Sequence, residues 1–427
     1  MTKRLVFGIL SVILLAAGCS QPPVETLTPT APSPTTLELS QVKVACEYAN
    51  VASGGTSSAV VKRIVDILKE TKVDFVFRGF FKWAPFPVKC SQFQQPDMVQ
   101  MCERRGNSYE LLENTLSKIK EELPSVIFCL GVSAGMIGQK PARVEWNPKT
   151  GECVEQPELW TMATDPGKWG ISWSKERFQY EYSKSFHRIP RDLDYDLFDW
   201  QTPDAYCPDI TNPLYQELLV SWAQGLIDAG ADAIEVDLLF MQAKWLKSIT
   251  RDENHPAVKE SYEAACKIVD EIHKYGRLQG KHIYVGSWPA PSFNYPPPDF
   301  DFIVTSPERR EVKEMILDEA KWDRELTAIK NKYGNITVFT FLDTMATTNS
   351  QLGIFSQELS SEEQMKFLKI ADDFFNGKGV IFIYPVHGGS MGRDATILSY
   401  GSSTLYESKA PEFQTYDTIK ELALSKK

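Results

Sequence analysis

Two hydrophobic patterns alternate along the chain after residue 40. Eight short apolar runs have strand length and strand composition: VKVACEY from Val42, VDFVFRGF from Val73, SVIFCLGV from Ser125, ADAIEVD from Ala231, KHIYVGSW from Lys281, FDFIVTS from Phe300, ITVFTFLD from Ile336 and GVIFIYPV from Gly379. Amphipathic stretches lie between most of them. Val60, Val61, Ile64, Ile67 and Leu68 form one helical stripe, and Tyr109, Leu112, Leu116, Ile119 and Leu123 form another. Eight buried strands with intervening helices predict a (β/α)8 TIM barrel. A doubly wound open sheet is the structural alternative, because periodicity does not report closure. The link after the fifth strand, PAPSFNYPPPD, is too rich in proline for a helix. Long βα-loop insertions are expected after the second strand (Lys82–Asn107) and the third (Ala134–Thr211).

The fourth run organises the rest. Asn212-Pro213 reads as a helix start, Leu214, Leu218, Leu219, Trp222, Leu226 and Ile227 recur at helical spacing, and Gly230 reads as the stop. In the strand that follows, Ala233, Glu235 and Asp237 share one face. Two carboxylates on one face of a buried strand are costly unless paired or used. Other strands also end on functional side chains: Glu47 the first, Arg78 the second, Trp288 the fifth, Glu308 just after the sixth, Asp343 the seventh and His387 the eighth. Each alone is accounted for by a helix cap or a loop salt bridge. Together they place a ring of ionisable groups where barrel enzymes work. Glu235, one pleat below Asp237, is expected to hold Arg78.

Composition sets the surroundings. MTKRLVFGILSVILLAAGC has a basic start, a short apolar run and a small-residue ending that resembles the lipobox of prokaryotic lipoproteins. That resemblance implies a signal peptide over 1–18, lipid on Cys19, and a lipid-anchored, extracytoplasmic place in the cell envelope. Residues 19–40, rich in Pro, Thr and Ser, read as a tether, and 41–427 as the barrel domain. The net charge of −10 and the lack of a basic run argue against a nucleic-acid partner. Among the eight cysteines, Cys90 with Cys102 and Cys153 with Cys207 are the expected loop pairs. Cys46 and Cys129 read as buried thiols. No CxxC or Cys/His ladder suggests a metal, and no cofactor is expected.

The run PDITNPLYQELLVSWAQGLIDAGADAIEVD resembles the pattern in barrels of the α-amylase, α-galactosidase and related glycosyl hydrolase groups. Its matching residues are Asp209, Asn212, Pro213, Ala233, Ile234 and Asp237. The resemblance implies cleavage of a glycosidic bond in a polysaccharide or glycoconjugate, with Asp237 as nucleophile or base. Glu308 is then the acid, with Asp343 as its substitute. Glu47, Arg78, Trp83, Glu235, Trp288 and His387 make up the expected substrate-binding set. Glu235 stands where α-amylases carry arginine, which argues against that family itself. A non-catalytic carbohydrate- or cell-wall-binding lipoprotein on the same barrel is the alternative.

Two other signals compete. Gly131-Val132-Ser133-Ala134-Gly135 matches a nucleophile elbow, with His387 downstream, and so admits a serine hydrolase using Ser133. That elbow requires a helix at once, and Gly138 and Pro141 disfavour one. Asp192, Asp194, Asp196 and Asp199 alternate as calcium ligands do, but lack the glycine and closing glutamate of an EF-hand, so a solvated turn is favoured. Half of the tryptophans (Trp146, Trp160, Trp169, Trp173 and Trp200) fall in the third-strand insertion. They would wall a sugar cleft or form a satellite core.

Overall fold

A computed structural model describes residues 37–82, 86–93, 95–138, 159–190, 192–199 and 205–426, together with the backbone of two short strands, Val144–Trp146 and Cys153–Glu155. The expected signal peptide, Cys19, most of the tether, Trp83 and Trp200 lie outside the described residues.

Eight parallel strands form the centre: β1 (Ala45–Tyr48), β2 (Phe75–Phe77), β3 (Ile127–Ser133), β4 (Ala233–Asp237), β5 (Tyr284–Ser287), β6 (Phe302–Thr305), β7 (Thr337–Thr340) and β8 (Ile381–Ser390). Each pairs with its successor, and β1 pairs in parallel with β8, so the sheet closes into a barrel. The open-sheet alternative is excluded by that last pairing. Strands buried on both faces explain why the sequence shows apolar runs here.

Alternation splits each strand between two cores. Ala45, Phe75, Phe77, Ile127, Cys129, Ala233, Phe302, Val304, Phe339, Phe341 and Ile383 fill the barrel interior, with Leu39 and Val42 in the same cluster ahead of β1. Phe75 stacks on Phe339 at 4.5 Å and meets Phe302 edge-on at 5.9 Å. Truncating any of these rings would cost about 3–5 kcal/mol. Cys46, Val76, Phe128, Leu130, Ile234 and Val236 face outward into the layer shared with the helices.

Helices connect most strands, from Ser58–Glu70 after β1 to Ser361–Gly377 before β8. The helix Pro213–Asp228 begins as its sequence indicates: Asn212 accepts the Leu214 N–H at 2.9 Å and proline takes the first turn. Gly230, at φ 109°, makes the turn into β4. The described residues between β5 and β6 contain no helix, as the proline-rich link requires.

The disulfide Cys90–Cys102 closes the segment after β2. The other expected pair is corrected: Cys207 is a buried free thiol, 3.7 Å from the Thr164 hydroxyl. Position in a loop was the only basis for pairing it, and the short strand Ala205–Tyr206 instead carries it into the core. Trp160, Trp169 and Trp173 pack against the outer core, and the Trp169 indole donates to Glu260 on the helix Pro256–Leu278. These three are therefore an extension of the outer core, partly exposed at its edge. Asp192, Asp194, Asp196 and Asp199 are all exposed, and Asp194 caps the single turn Tyr195–Leu197.

Candidate active site

The interior side chains change character at the carboxyl end of the barrel. Below lie phenylalanines; above them Glu47, Glu235 and Asp237 continue the same inward-facing rows. Gly131, paired with Glu235 across β3 and β4, leaves the room they need. A Cβ there would stand 2.5 Å from the Phe81 ring and 3.3 Å from Glu235 Oε2.

Arg78 ties this deck together. It follows β2 with φ 51°, a left-handed conformation that non-glycine residues rarely adopt, which bends the chain so that the side chain lies across the mouth. Its Nε and Nη2 donate to the two Glu235 oxygens at 2.7 and 2.8 Å. Nη2 also donates to Asp237 Oδ1 at 3.2 Å, and Nη1 stands 3.9 Å from Asp343 Oδ1. Phe81 and Phe341 each hold the guanidinium 4.8 Å from the ring centre. The pairing of Arg78 with Glu235 anticipated from the strand pattern is thus present, and it is bidentate.

Asp237 is held from two directions, since the Trp288 indole donates to the same Oδ1 at 2.7 Å. Its neighbour Leu238 takes φ 56°, a second left-handed residue at the mouth. Asp343 continues the inward row of Phe339 and Phe341 past the end of β7, and its backbone N–H donates to the Ser306 hydroxyl at 3.3 Å. Its side chain is 27% exposed against 10% for Asp237. Solvent therefore reaches both carboxyls, and Asp343 more freely.

Burial dominates the electrostatics. It pushes Glu235 up to about 7 against the opposing pull of Arg78. Burial also raises Asp237, while Arg78 and the Trp288 hydrogen bond oppose the rise. Asp343 is pushed up to about 6 by burial, with the Asp237 charge adding to the effect. Glu47 rises to about 7, again through burial first.

No family model matches this chain, and no curated protein matches it. Solved structures do. Amy13B of Eubacterium rectale is 9% identical, with 92% of this chain and 80% of that one covered at a TM-score of 0.50. The debranching enzyme of Nostoc punctiforme is 10% identical over 90% of this chain and 81% of that one, at 0.49. The glycoside hydrolase domain of PelA from Pseudomonas aeruginosa is 10% identical over 74% and 90%, at 0.36. The likeness is one of fold.

Of the ring read from the sequence, the structure gathers Glu47, Arg78, Glu235, Asp237, Trp288 and Asp343. It leaves Glu308 apart. That side chain is 61% exposed, and its charge partner is Lys321 at 3.6 Å. The Glu308 backbone N–H is capped by Glu311 at the start of the short helix Arg309–Glu314. His387 stacks on Tyr48 at 4.3 Å and pairs through Nδ1 with Glu407 at 2.6 Å. Ser133 is wholly buried, and among the described residues its hydroxyl has no partner and no helix follows it directly. With no base in contact, the serine-hydrolase alternative is set aside. Phe81 and Phe341, which shield Arg78, were not singled out from sequence. The signal for Phe81 was the aromatic run around an isolated arginine, Phe77-Arg78-Gly79-Phe80-Phe81.

Proposed function

We propose that this protein hydrolyses glycosidic bonds at the carboxyl end of its barrel, using Asp237 and Asp343. Asp343 gives its proton to the leaving-group oxygen. Asp237, as carboxylate, either attacks the anomeric carbon or takes a proton from the water that does. The observation that carries this reading is that two carboxyls share one guanidinium but differ in environment. Asp237 accepts hydrogen bonds from Arg78 and Trp288, which favour its ionised form. Asp343 has the more distant Arg78 contact, a backbone hydrogen bond from Thr344 and a pKa still raised to about 6, which suits a proton donor. Both oxygens lie within 4 Å of the guanidinium, which caps their separation near the upper end of the roughly 5–9.5 Å used in glycosidic cleavage. Asp343 thereby takes the role first expected of Glu308. Glu235 and Arg78 form the charged pair under the site, Glu47 lines its wall, and Trp288 offers a ring beside Asp237. Trp83 and His387 stay in the substrate-binding set only as expectations from sequence.

The substrate class proposed is a polysaccharide or glycoconjugate outside the cytoplasm. The lipobox-like ending at Cys19 supports a lipid anchor, with residues 19–40 as a tether. A panel of oligosaccharides and aryl glycosides tests the activity, using wild-type protein and Asp237→Asn. Turnover by wild type, lost in Asp237→Asn, is expected. Glycan binding in both proteins with no turnover in either would favour the non-catalytic carbohydrate-binding alternative.

A further inference from the structure

Glu47 has no role in the pairing just described. It sits on β1 in register with Phe77 on β2, and its inward row continues from Ala45. Only 3% of the residue is exposed, and its carboxyl has no hydrogen-bond partner among the described residues. A Cβ on Gly389 of β8 would stand 3.1 Å from Glu47 Oε2, so the group lies against the backbone of that strand. It is a nearly buried carboxyl on the inward row that no described protein donor reaches, and its oxygens are not among the fully enclosed unsatisfied atoms, so what contact they have is with the solvent-filled mouth.

The balance of charge and donors says what is missing. Among the described residues, Glu47, Glu235, Asp237 and Asp343 face a single cation, Arg78. Four carboxyls around one guanidinium in a largely closed space cannot all be ionised. Glu235 takes two of the Arg78 hydrogen bonds, and Asp237 takes one together with that of Trp288. These donors are committed to carboxylates. Glu47, with none, is the group on which a proton is least opposed. The mouth is consequently rich in acceptors and short of donors, whereas a sugar presents oxygens that need both.

We propose that Glu47 meets the ligand as an uncharged carboxylic acid and donates a hydrogen bond to a sugar oxygen on the β1–β8 wall, so that it determines specificity for a polyhydroxylated ring. The inference rests on the hydrolase reading for the nature of the ligand. The charge state of Glu47 is separable from that reading. Burial, with Asp343 and Glu235 adding to it and Arg78 opposing, pushes Glu47 up to about 7. Charged groups also close by are His387, stacked on the adjacent Tyr48, its partner Glu407, and Arg63, which acts on Tyr48 from the helix after β1.

Glutamine carries an amide N–H where the protonated acid carries its O–H, which makes the test selective. Binding of neutral hexasaccharides (α-1,4-glucan, β-1,4-glucan and β-1,4-linked N-acetylglucosamine) is measured by calorimetry in an Asp237→Asn background. Glu47→Ala is expected to weaken the best ligand at least tenfold, and Glu47→Gln to recover most of that loss. Equal damage from both variants would mean that Glu47 acts as an ionised acceptor, and would overturn the proposal. Ligand-free urea unfolding at pH 5 and pH 8 gives the second readout. The unfolding midpoint of wild type is expected to fall relative to Glu47→Gln as pH rises across this interval. A constant difference would overturn the assigned protonation. If no hexasaccharide binds to any protein, the hydrolase reading and the ligand half of this proposal fall together, while the unfolding comparison still decides the charge of Glu47.

Discussion

Replacing Arg78 with methionine removes a cation that the four mouth carboxyls share, while keeping an unbranched apolar stem between Phe81 and Phe341. Two hydrogen bonds to Glu235, one to Asp237 and the longer contact with Asp343 are lost together. Breaking a buried ion pair by removing one partner costs about 3–5 kcal/mol, because the remaining charge is left without compensation. The cost depends on pH, and its sign follows from the carboxyls. Arg78 opposes the upward shift of Glu47, Glu235, Asp237 and Asp343, so its removal raises all four further. A carboxyl whose pKa is raised by folding contributes stability below its unfolded value, near 4.5 for glutamate, and that contribution is lost as pH rises through the folded value. For Glu235 in wild type the window runs from about 4.5 to about 7, and in Arg78→Met it extends higher. The variant should therefore lie about 1–2 kcal/mol below wild type at pH 5, where protonation relieves the bare carboxyls, and about 3–5 kcal/mol below it at pH 8. Urea unfolding at the two pH values measures both numbers. A deficit that does not change with pH would refute the reasoning, since the arginine would then act through packing alone. Adding Glu235→Leu to Arg78→Met should restore part of the loss at pH 8, because an apolar pair leaves one fewer stranded charge.

Other perturbations probe other parts of the account. Trp288→Phe keeps the ring and removes the hydrogen bond to Asp237, so kcat/KM on a cleaved glycan should fall about 10- to 100-fold, the worth of about 1.5–3 kcal/mol for a bond to a charged group. Gly131→Ala places a Cβ against Phe81 and should cost about 1–3 kcal/mol in a denaturation assay, together with a weaker hold on Arg78. Cys19→Ala should abolish metabolic labelling with palmitate and move the protein from the membrane to the soluble fraction of a bacterial host.

Much of the barrel could be read from the chain because both faces of its strands are buried, so each appears as an apolar run bounded by helix signals. The proline-rich link after β5 was legible for the opposite reason, since proline cannot donate within a helix. The site was legible only where strand alternation persists to the mouth. Glu235 and Asp237 continue the row begun by Ala233, and Asp343 continues the row of Phe339 and Phe341 beyond the last residue of β7. Glu308 fails that rule. Counted from Phe302 and Val304 it falls on the inward parity, but β6 ends at Thr305, Pro307 interrupts the chain, and Glu308 becomes the residue before a helix, turned toward Lys321. Arg78 was placed correctly at a strand end, yet its left-handed backbone, which carries the side chain across the mouth, leaves no trace in residue type. Cys207 shows a related limit. Loop position suggested a bridge, and burial of the thiol beside Thr164 made it part of a core instead.

The comparison of Asp343→Asn with Glu308→Gln on the same substrate tests the carboxyl pair most directly. On a glycan with an unactivated leaving group, Asp343→Asn should lose about 10²–10⁴-fold in kcat, the usual worth of a general acid, and recover much of it on an aryl glycoside that leaves without a proton. Glu308→Gln should stay within about twofold of wild type on both, as a surface substitution outside the machinery does. Loss of activity in Glu308→Gln with Asp343→Asn unaffected would contradict the assignment of Asp343 as the acid.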